Sequence, residues 1–289
     1  MKNLTISIVN YNSGEYLSRC LASIEEAKDE AKIKTIVVDN NSTDESLKTA
    51  KDQFPEVEFI ENENNVGFGK AHNQVLGNLK TEYVLLLNPD CILEKGVLKK
   101  LLEYYENNPD TGVITCKIIL PDGSVDLTAH RGLPTPWASL LYFFGDNSKY
   151  HLTKRDLKIP HEVDSVSGAF FLTKKEVLKK SGHFDERFFL YGEDIDLCIR
   201  IKQAGFKVIY NPQVSIIHFK GVSSGLKKHS QDISRADTKT KLRAVNAFYE
   251  AMFIFYDKHF KNKYFFLINW LVYLGIYLKW GIARIKMTV

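Results

Sequence analysis

Along its first 120 residues the chain alternates short apolar, β-branched runs with segments whose apolar positions recur every three or four residues. LTISIV, KTIVVD, VEFIE, YVLLLN and VITCKII read as strands, and YLSRCLASIEEA, DESLKTAKDQF, GKAHNQVLGNL and VLKKLLEYYEN read as the amphipathic helices between them. Strands apolar on both faces and separated by such helices predict an α/β fold, with a Rossmann-like, mostly parallel central sheet flanked by helices. PDGS at 121–124 marks a turn, and the pattern is then irregular to about 163, as expected of a variable connection over a substrate. Order returns with VDSVSGAFFLTKKEV as strand then helix. GEDIDLCIRIKQAG follows as a short helix with acids in its first turn, then the strands FKVIY and QVSIIH.

The tail has a different pattern. Residues 239–260 read as an amphipathic helix, and FFLINWLVYLGIYL at 265–278 is uncharged and ended by Lys279. That run falls short of the roughly 20 residues a membrane span requires, so it predicts a helix lying in the membrane interface. Trp270, Tyr273, Tyr277 and Trp280 would sit at headgroup level, with Lys261, Lys263, Lys279, Arg284 and Lys286 toward anionic lipid. The alternative is a helix packed on the body or on a second copy in a homodimer.

Charge sharpens this division. The chain carries 39 Lys and Arg against 35 Asp and Glu, but residues 241–289 hold eight basic and two acidic side chains together with 13 of the 35 aromatics. The body is therefore close to neutral and the tail basic, which offers no signal for a nucleic-acid partner. Four cysteines without CxxC pairing or His/Cys ligand spacing exclude a disulfide framework and a structural zinc site. MKNLTISIVN lacks the apolar length and cleavage site of a signal peptide, so the expected location is cytoplasmic, extended to the inner face of the cytoplasmic membrane if the tail binds lipid.

In an open α/β sheet, ligands bind beyond the carboxyl ends of the strands. The polar residues there are Asn10-Tyr11-Asn12, Asp39-Asn40-Asn41, Asn88-Pro89-Asp90 and His218. Asp39 can accept from a ribose hydroxyl or a base N–H, or it can cap the helix that starts near Asp44. Asp90, projected by Pro89, suits an oxygen-ligated divalent ion or an N-cap near Glu94. VNYNSGEYL holds a single glycine and GFG lacks the third, so the dinucleotide fingerprint of a nicotinamide enzyme is absent. In LYGEDIDLC, a helix N-terminus favours Glu193 and Asp194, and Asp196 can pair with Arg200. The preceding FDERFFLYG sets apolar groups against these acids, which raises the pKa of one of them in the manner of a general base.

Taken in order, VNYNSGEYL, VVDNNSTD, NVGFGKAHN, LLLNPD, SGAFFLTKKEV and FDERFFLYGEDIDLCIRIKQAGFKVIYNPQVSIIH resemble the family 2 glycosyltransferases of the GT-A fold, closest to the rhamnosyltransferase-like branch. The resemblance spans roughly residues 3–225. It implies a catalytic domain over 1–235 with a helical extension over 236–289, and an inverting transfer of a sugar, with rhamnose a candidate, in bacterial surface polysaccharide synthesis. The donor would be a dTDP- or UDP-linked sugar and the acceptor a glycan or lipid-linked hydroxyl. The resemblance also implies roles: Asp194 and Glu193 as the catalytic acidic pair, with Asp194 the base; Val9, Tyr11, Asp39, Asn41, Lys70, Asn88 and Asp90 around the nucleotide sugar; Asp90 and His218 as ligands of Mg2+ or Mn2+. Asn88 departs from the family pattern, replacing the first acid of the DxD motif with a poorer ligand. Taken alone, His218 reads as a packed histidine at a strand end, and it is the ordered motifs that make it a ligand. Lys227 and Lys228 in GVSSGLKKH are candidates for a basic loop closing over the donor, or for a solvated loop. A nucleotidyltransferase would need a glycine- and arginine-rich loop after the first strand, and a non-catalytic sugar-binding scaffold would have lost the acidic pair, which is intact here.

Overall fold

The computed structural model describes residues 1–222 and 237–288. The chain begins with β1 (Asn3–Asn10), α1 (Tyr16–Glu26), β2 (Lys32–Asp39), α2 (Ser46–Gln53), β3 (Glu58–Glu61), α3 (Phe68–Leu76) and β4 (Tyr83–Leu87). It continues with β5 (Cys91–Leu93), α4 (Val97–Asn107), β6 (Thr111–Ile119), α5 (Pro136–Phe143), α6 (Ser148–His151), β7 (His161–Glu162), β8 (Phe170–Lys174), α7 (Lys175–Ser181), α8 (Glu193–Gln203) and β9 (Lys207–His218). The helices α9 (Thr238–His259) and α10 (Phe266–Thr288) close the described chain.

The strands form one sheet in the order β3-β2-β1-β4-β8-β6-β9-β5, with β7 added to β9. The alternating segments produce the expected parallel run β3-β2-β1-β4, in which Asn10 lies beside Asp39 at the carboxyl edge. β8 then runs antiparallel between β4 and β6. The irregular stretch before it contains no crossover helix on the sheet to return the chain parallel. All of β4 is buried, as its YVLLL sequence requires for a strand covered on both faces. The four cysteines are buried and free.

The tail differs from its sequence expectation. α10 runs over 23 residues without a break. Its Phe266–Met287 stretch, with mean hydropathy 1.4, is long and apolar enough to cross a membrane. Lys279 ends the uncharged run but not the apolar stretch, because lysine is a good helix former and apolar character resumes at Trp280, Ile282 and Ala283. The aromatic residues also divide. Trp270 and Tyr277 are exposed, whereas Tyr273 stacks on Phe253 and Trp280 Nε1 donates to Asn246 Oδ1 at 2.9 Å, both on α9. α9 and the residue after it in turn cluster, through Ala251, Phe255, Tyr256 and Phe260, with Ile195 of α8 and Phe188 of the loop before it.

Candidate active site

The loops after β1 and β2 are tied into one polar unit. Asn10 Nδ2 donates to Asp39 Oδ1 at 2.7 Å, and Ser42 Oγ and its backbone N–H donate to Oδ1 and Oδ2 at 2.6 and 2.9 Å. Asn12 Oδ1 accepts from Thr43 N at 2.7 Å, and Gly14 N donates to Asp44 Oδ2 at 2.8 Å. Asp39 is thus not the cap of α2, whose N-cap is Glu45. A carboxylate offers about four acceptor sites, so three donors leave one on Oδ2. Tyr11 is half-buried beside this unit, and Asn41 is exposed with φ 62°, a conformation that Asn tolerates. Val9 instead turns its side chain into a small cluster with Ile36, Val38, Ala71 and Val75. Lys70 lies exposed on α3, 3.8 Å from Glu186.

At the ends of β4 and β9, Asp90 Oδ1 lies 3.1 Å from His218 Nε2, and both residues are buried. Asn88 Nδ2 approaches the same ring nitrogen at 3.5 Å. Burial, the largest influence, opposes ionisation of Asp90, yet His218 and backbone N–H groups outweigh it and hold the carboxyl below its usual range. His218 is therefore not simply a packed ring at a strand end, and Asp90 is no N-cap, since Gly96 holds that position in α4. Donor atoms of Asp90, Cys91 and His218 lie within 4.8 Å of one another. His218 Nδ1 is buried and without a partner among the described residues. Cys91 Sγ instead donates to Ala169 O at 3.5 Å, which leaves a carboxylate and an imidazole as the donor pair. That pair suits Mn2+ or Mg2+ completed by phosphate oxygens, and not a thiolate metal.

The acids of α8 take three different roles. Asp194 Oδ2 accepts from Arg131 Nη2 at 2.7 Å and from Gly168 N at 3.1 Å, while Oδ1 accepts from Ile195 N at 2.8 Å. Burial works against the Arg131 charge, but Asp194 more than compensates and the guanidinium stays protonated. Glu193 Oε2 is buried with no partner among the described residues. Its burial, reinforced by the neighbouring Asp194 charge, pushes its carboxyl up to about 8. The raised acid foreseen in this run is therefore Glu193, because Arg131 and the Gly168 amide hydrogen-bond to Asp194 and not to Glu193. Asp196 pairs with Arg200 as expected, and also with Lys258 and His259 of α9. The helix starts from Tyr191 and Gly192, both at positive φ (73° and 84°). For Tyr191 that conformation costs about 1–2 kcal/mol, a strain sited next to the acids.

Glu193 yields a stability prediction. Its folded value lies above the unfolded one, so the folded state binds the extra proton and wild-type stability falls as pH rises from about 4.5 toward 8. Glu193→Gln removes this slope. Urea midpoints at pH 5 and pH 8 are expected to show the variant gaining on wild type at the higher pH, and equal differences at both would exclude the assignment.

The Gly168–Ala169 segment joins the clusters. Ala169 O accepts from Asn88 N at 3.0 Å, and Gly168 N reaches Asp194. A Cβ on Gly168 would meet Phe68 Cζ at 3.0 Å, so any side chain here would have to push the Phe68 ring aside by a few tenths of an ångström. Sequence reasoning missed Arg131, whose partner lies 63 positions away. HRG in the irregular stretch was its sole signal, with no periodicity to place it. Lys227 and Lys228 lie outside the described residues.

A polar unit joining the loops after β1 and β2, an acid–histidine pair and a braced acid are the arrangement a GT-A type of transferase would use. Residues 5–182, more than half the chain, match the family model for glycosyl transferase family 2, so the chain belongs to that family. It is 30% identical over 240 residues to an N-acetylglucosaminyl-diphospho-decaprenol L-rhamnosyltransferase of Mycobacterium tuberculosis, covering 77% of this chain and 78% of the relative. It is 26% identical to the rhamnosyltransferase WbbL of Escherichia coli K12, over 74% of this chain and 82% of that protein. A crystal structure of GalNAc-T7 with UDP, GalNAc and Mn2+ shares the fold with a TM-score of 0.59 at 18% identity. The match covers 89% of this chain and spans half of that longer one. The protein is thus a glycosyltransferase, and the nucleotidyltransferase and scaffold readings fall away.

Proposed function

We propose that the protein transfers a sugar, with L-rhamnose the first candidate, from a nucleoside-diphospho-sugar to a hydroxyl of a lipid-linked glycan, with inversion. The observation that carries this reading is Asp194, a buried carboxylate oriented by Arg131 and Gly168 N–H, one segment away from Asp90 and His218. The rhamnosyltransferase relatives support the sugar and the diphospho-decaprenol acceptor class.

Asp194 takes the proton of the acceptor hydroxyl, which attacks the anomeric carbon from the face opposite the nucleotide. Arg131 keeps the carboxylate facing the acceptor side. Glu193, largely protonated at neutral pH, adds little competing charge, so two adjacent acids are set apart by environment. The free acceptor site on Asp39 suits a base N–H, with Tyr11 against the base. Asp90 and His218 would hold Mg2+ or Mn2+, which when bound supplies positive charge to the departing diphosphate.

A panel of dTDP- and UDP-sugars, assayed for turnover with and without divalent cation, tests the reading. One donor is expected to dominate, excess EDTA to suppress turnover, and Asp90→Ala and His218→Ala each to raise the cation concentration required. Full activity in EDTA would refute the metal assignment. Calorimetry with the nucleoside diphosphate is expected to show Asp39→Ala weakening binding more than it slows turnover of bound donor, because a base contact is alike in ground and transition states.

A further inference from the structure

We propose that α5 is a second membrane-contacting element, which seats its exposed aromatic side chains in the surface of an anionic bilayer beside α10. α5 buries Ala138, yet Trp137, Leu140 and Phe143 are 61%, 47% and 61% exposed, and Phe144 just beyond it is 75% exposed. Thr135 accepts from Ala138 N at 3.1 Å and Pro136 opens the first turn, so the helix is locally well specified while its apolar side is left uncovered. Large apolar side chains concentrated on one short helix mark an interaction surface, unlike the same residues scattered singly.

Three observations favour lipid as the occupant. The residues after α5 present exposed Lys149, Lys154, Arg155 and Lys158 against Asp146 and Asp156, a net positive flank of the kind that anionic headgroups attract. Trp137 and Tyr142, the latter 50% exposed, are of the types favoured where one end is apolar and the other wet. The surface also joins α10: Lys279 Nζ lies 4.7 Å from the centre of the Phe143 ring, and α10 is the helix whose length and hydropathy suit a bilayer. One lipid surface would cover both apolar regions together.

The position carries a functional consequence, which rests on the proposed transfer to a lipid-linked hydroxyl. Arg131, which grips Asp194, lies five residues before Pro136. Docking of α5 would therefore hold the acceptor side of Asp194 at the bilayer surface, where such an acceptor presents its headgroup.

The test uses the full chain with Trp270→Phe and Trp280→Phe, leaving Trp137 as the fluorophore, and vesicles of phosphatidylglycerol and phosphatidylcholine brominated near the headgroup. Loss of Trp137 emission with a blue shift is expected, and reversal of both by Phe143→Glu combined with Phe144→Glu. Unquenched Trp137 in protein that sediments with the vesicles would overturn the proposal. So would a homodimer that shields Trp137 and ignores vesicles. As a second measurement, wild-type amide exchange over 136–144 is expected to slow on phosphatidylglycerol vesicles, and unchanged exchange would equally overturn it. Neither readout uses a nucleotide sugar, so failure here and failure of the transfer reading are separable.

Discussion

Asp194→Asn is expected to lower the rate of sugar transfer by about 10²- to 10⁴-fold, the usual cost of removing a general base, with nucleoside-diphosphate affinity nearly unchanged. The amide oxygen can still accept from one of Gly168 N and Ile195 N, which meet different oxygens of Asp194 at 3.1 and 2.8 Å, so one of the two backbone anchors is kept. What is lost is a basic oxygen and the counter-charge of Arg131. Transfer rate and calorimetric affinity measured on the same preparation separate these effects. A variant retaining more than about a tenth of the wild-type rate would remove Asp194 from the role of base. A parallel fall in nucleotide affinity would place it on the donor instead.

The largest expected effect on stability is at Asp196. Its carboxylate is fully buried and meets Arg200 at 2.8 Å, Lys258 at 2.7 Å and His259 at 2.8 Å. Asp196→Ala would leave these groups facing one another without their shared counter-charge, a change that costs about 3–5 kcal/mol when a buried pair is broken. Because Lys258 and His259 belong to α9, the loss should also loosen the contact of α9 on α8, visible as faster amide exchange at 251–260. Burial, the largest influence, opposes ionisation of Asp196, but the hydrogen bonds from His259 and Lys258 and the Arg200 charge outweigh it and hold the carboxyl below the usual range. The folded value is then lower than the unfolded one. The contribution is complete above about pH 4 and fades as pH falls through the folded value. Denaturant midpoints of wild type and variant should therefore converge in acid, and a variant as stable as wild type at pH 7 would contradict the account.

The acids of LYGEDIDLC illustrate how far sequence reasoning reached. A helix N-terminus explains why acids gather there, and the i, i+4 spacing places Arg200 on Asp196. Neither rule separates Glu193 from Asp194. That separation depends on Arg131 and Gly168, 63 and 26 positions away, which the chain brings to Asp194 only after β8 and α8 are packed.

The tail shows a limit of another kind. Counting uncharged residues ended the apolar run at Lys279 and made it too short to span, whereas the apolar stretch continues past that single lysine to Met287. Which of its aromatics face lipid and which face protein was not legible either. Trp270 and Tyr273 look alike in composition, and only the pairing of α10 with α9 turns Tyr273 inward while leaving Trp270 59% exposed.

The sequence by itself determined the α/β alternation, the buried character of β1 and β4, and the polar residues at the carboxyl edge, because each depends on side-chain period and turn chemistry within a dozen residues. Tertiary structure alone decided the antiparallel entry of β8, the brace of Arg131 on Asp194 and the anchoring of α9 by Asp196, and it set the 3.1 Å approach of Asp90 to His218 across 128 positions. For the last three the physical reason is the same. A buried charge is tolerated only beside a partner, and that partner can come from any element the fold places within about 3 Å, whatever its distance along the chain.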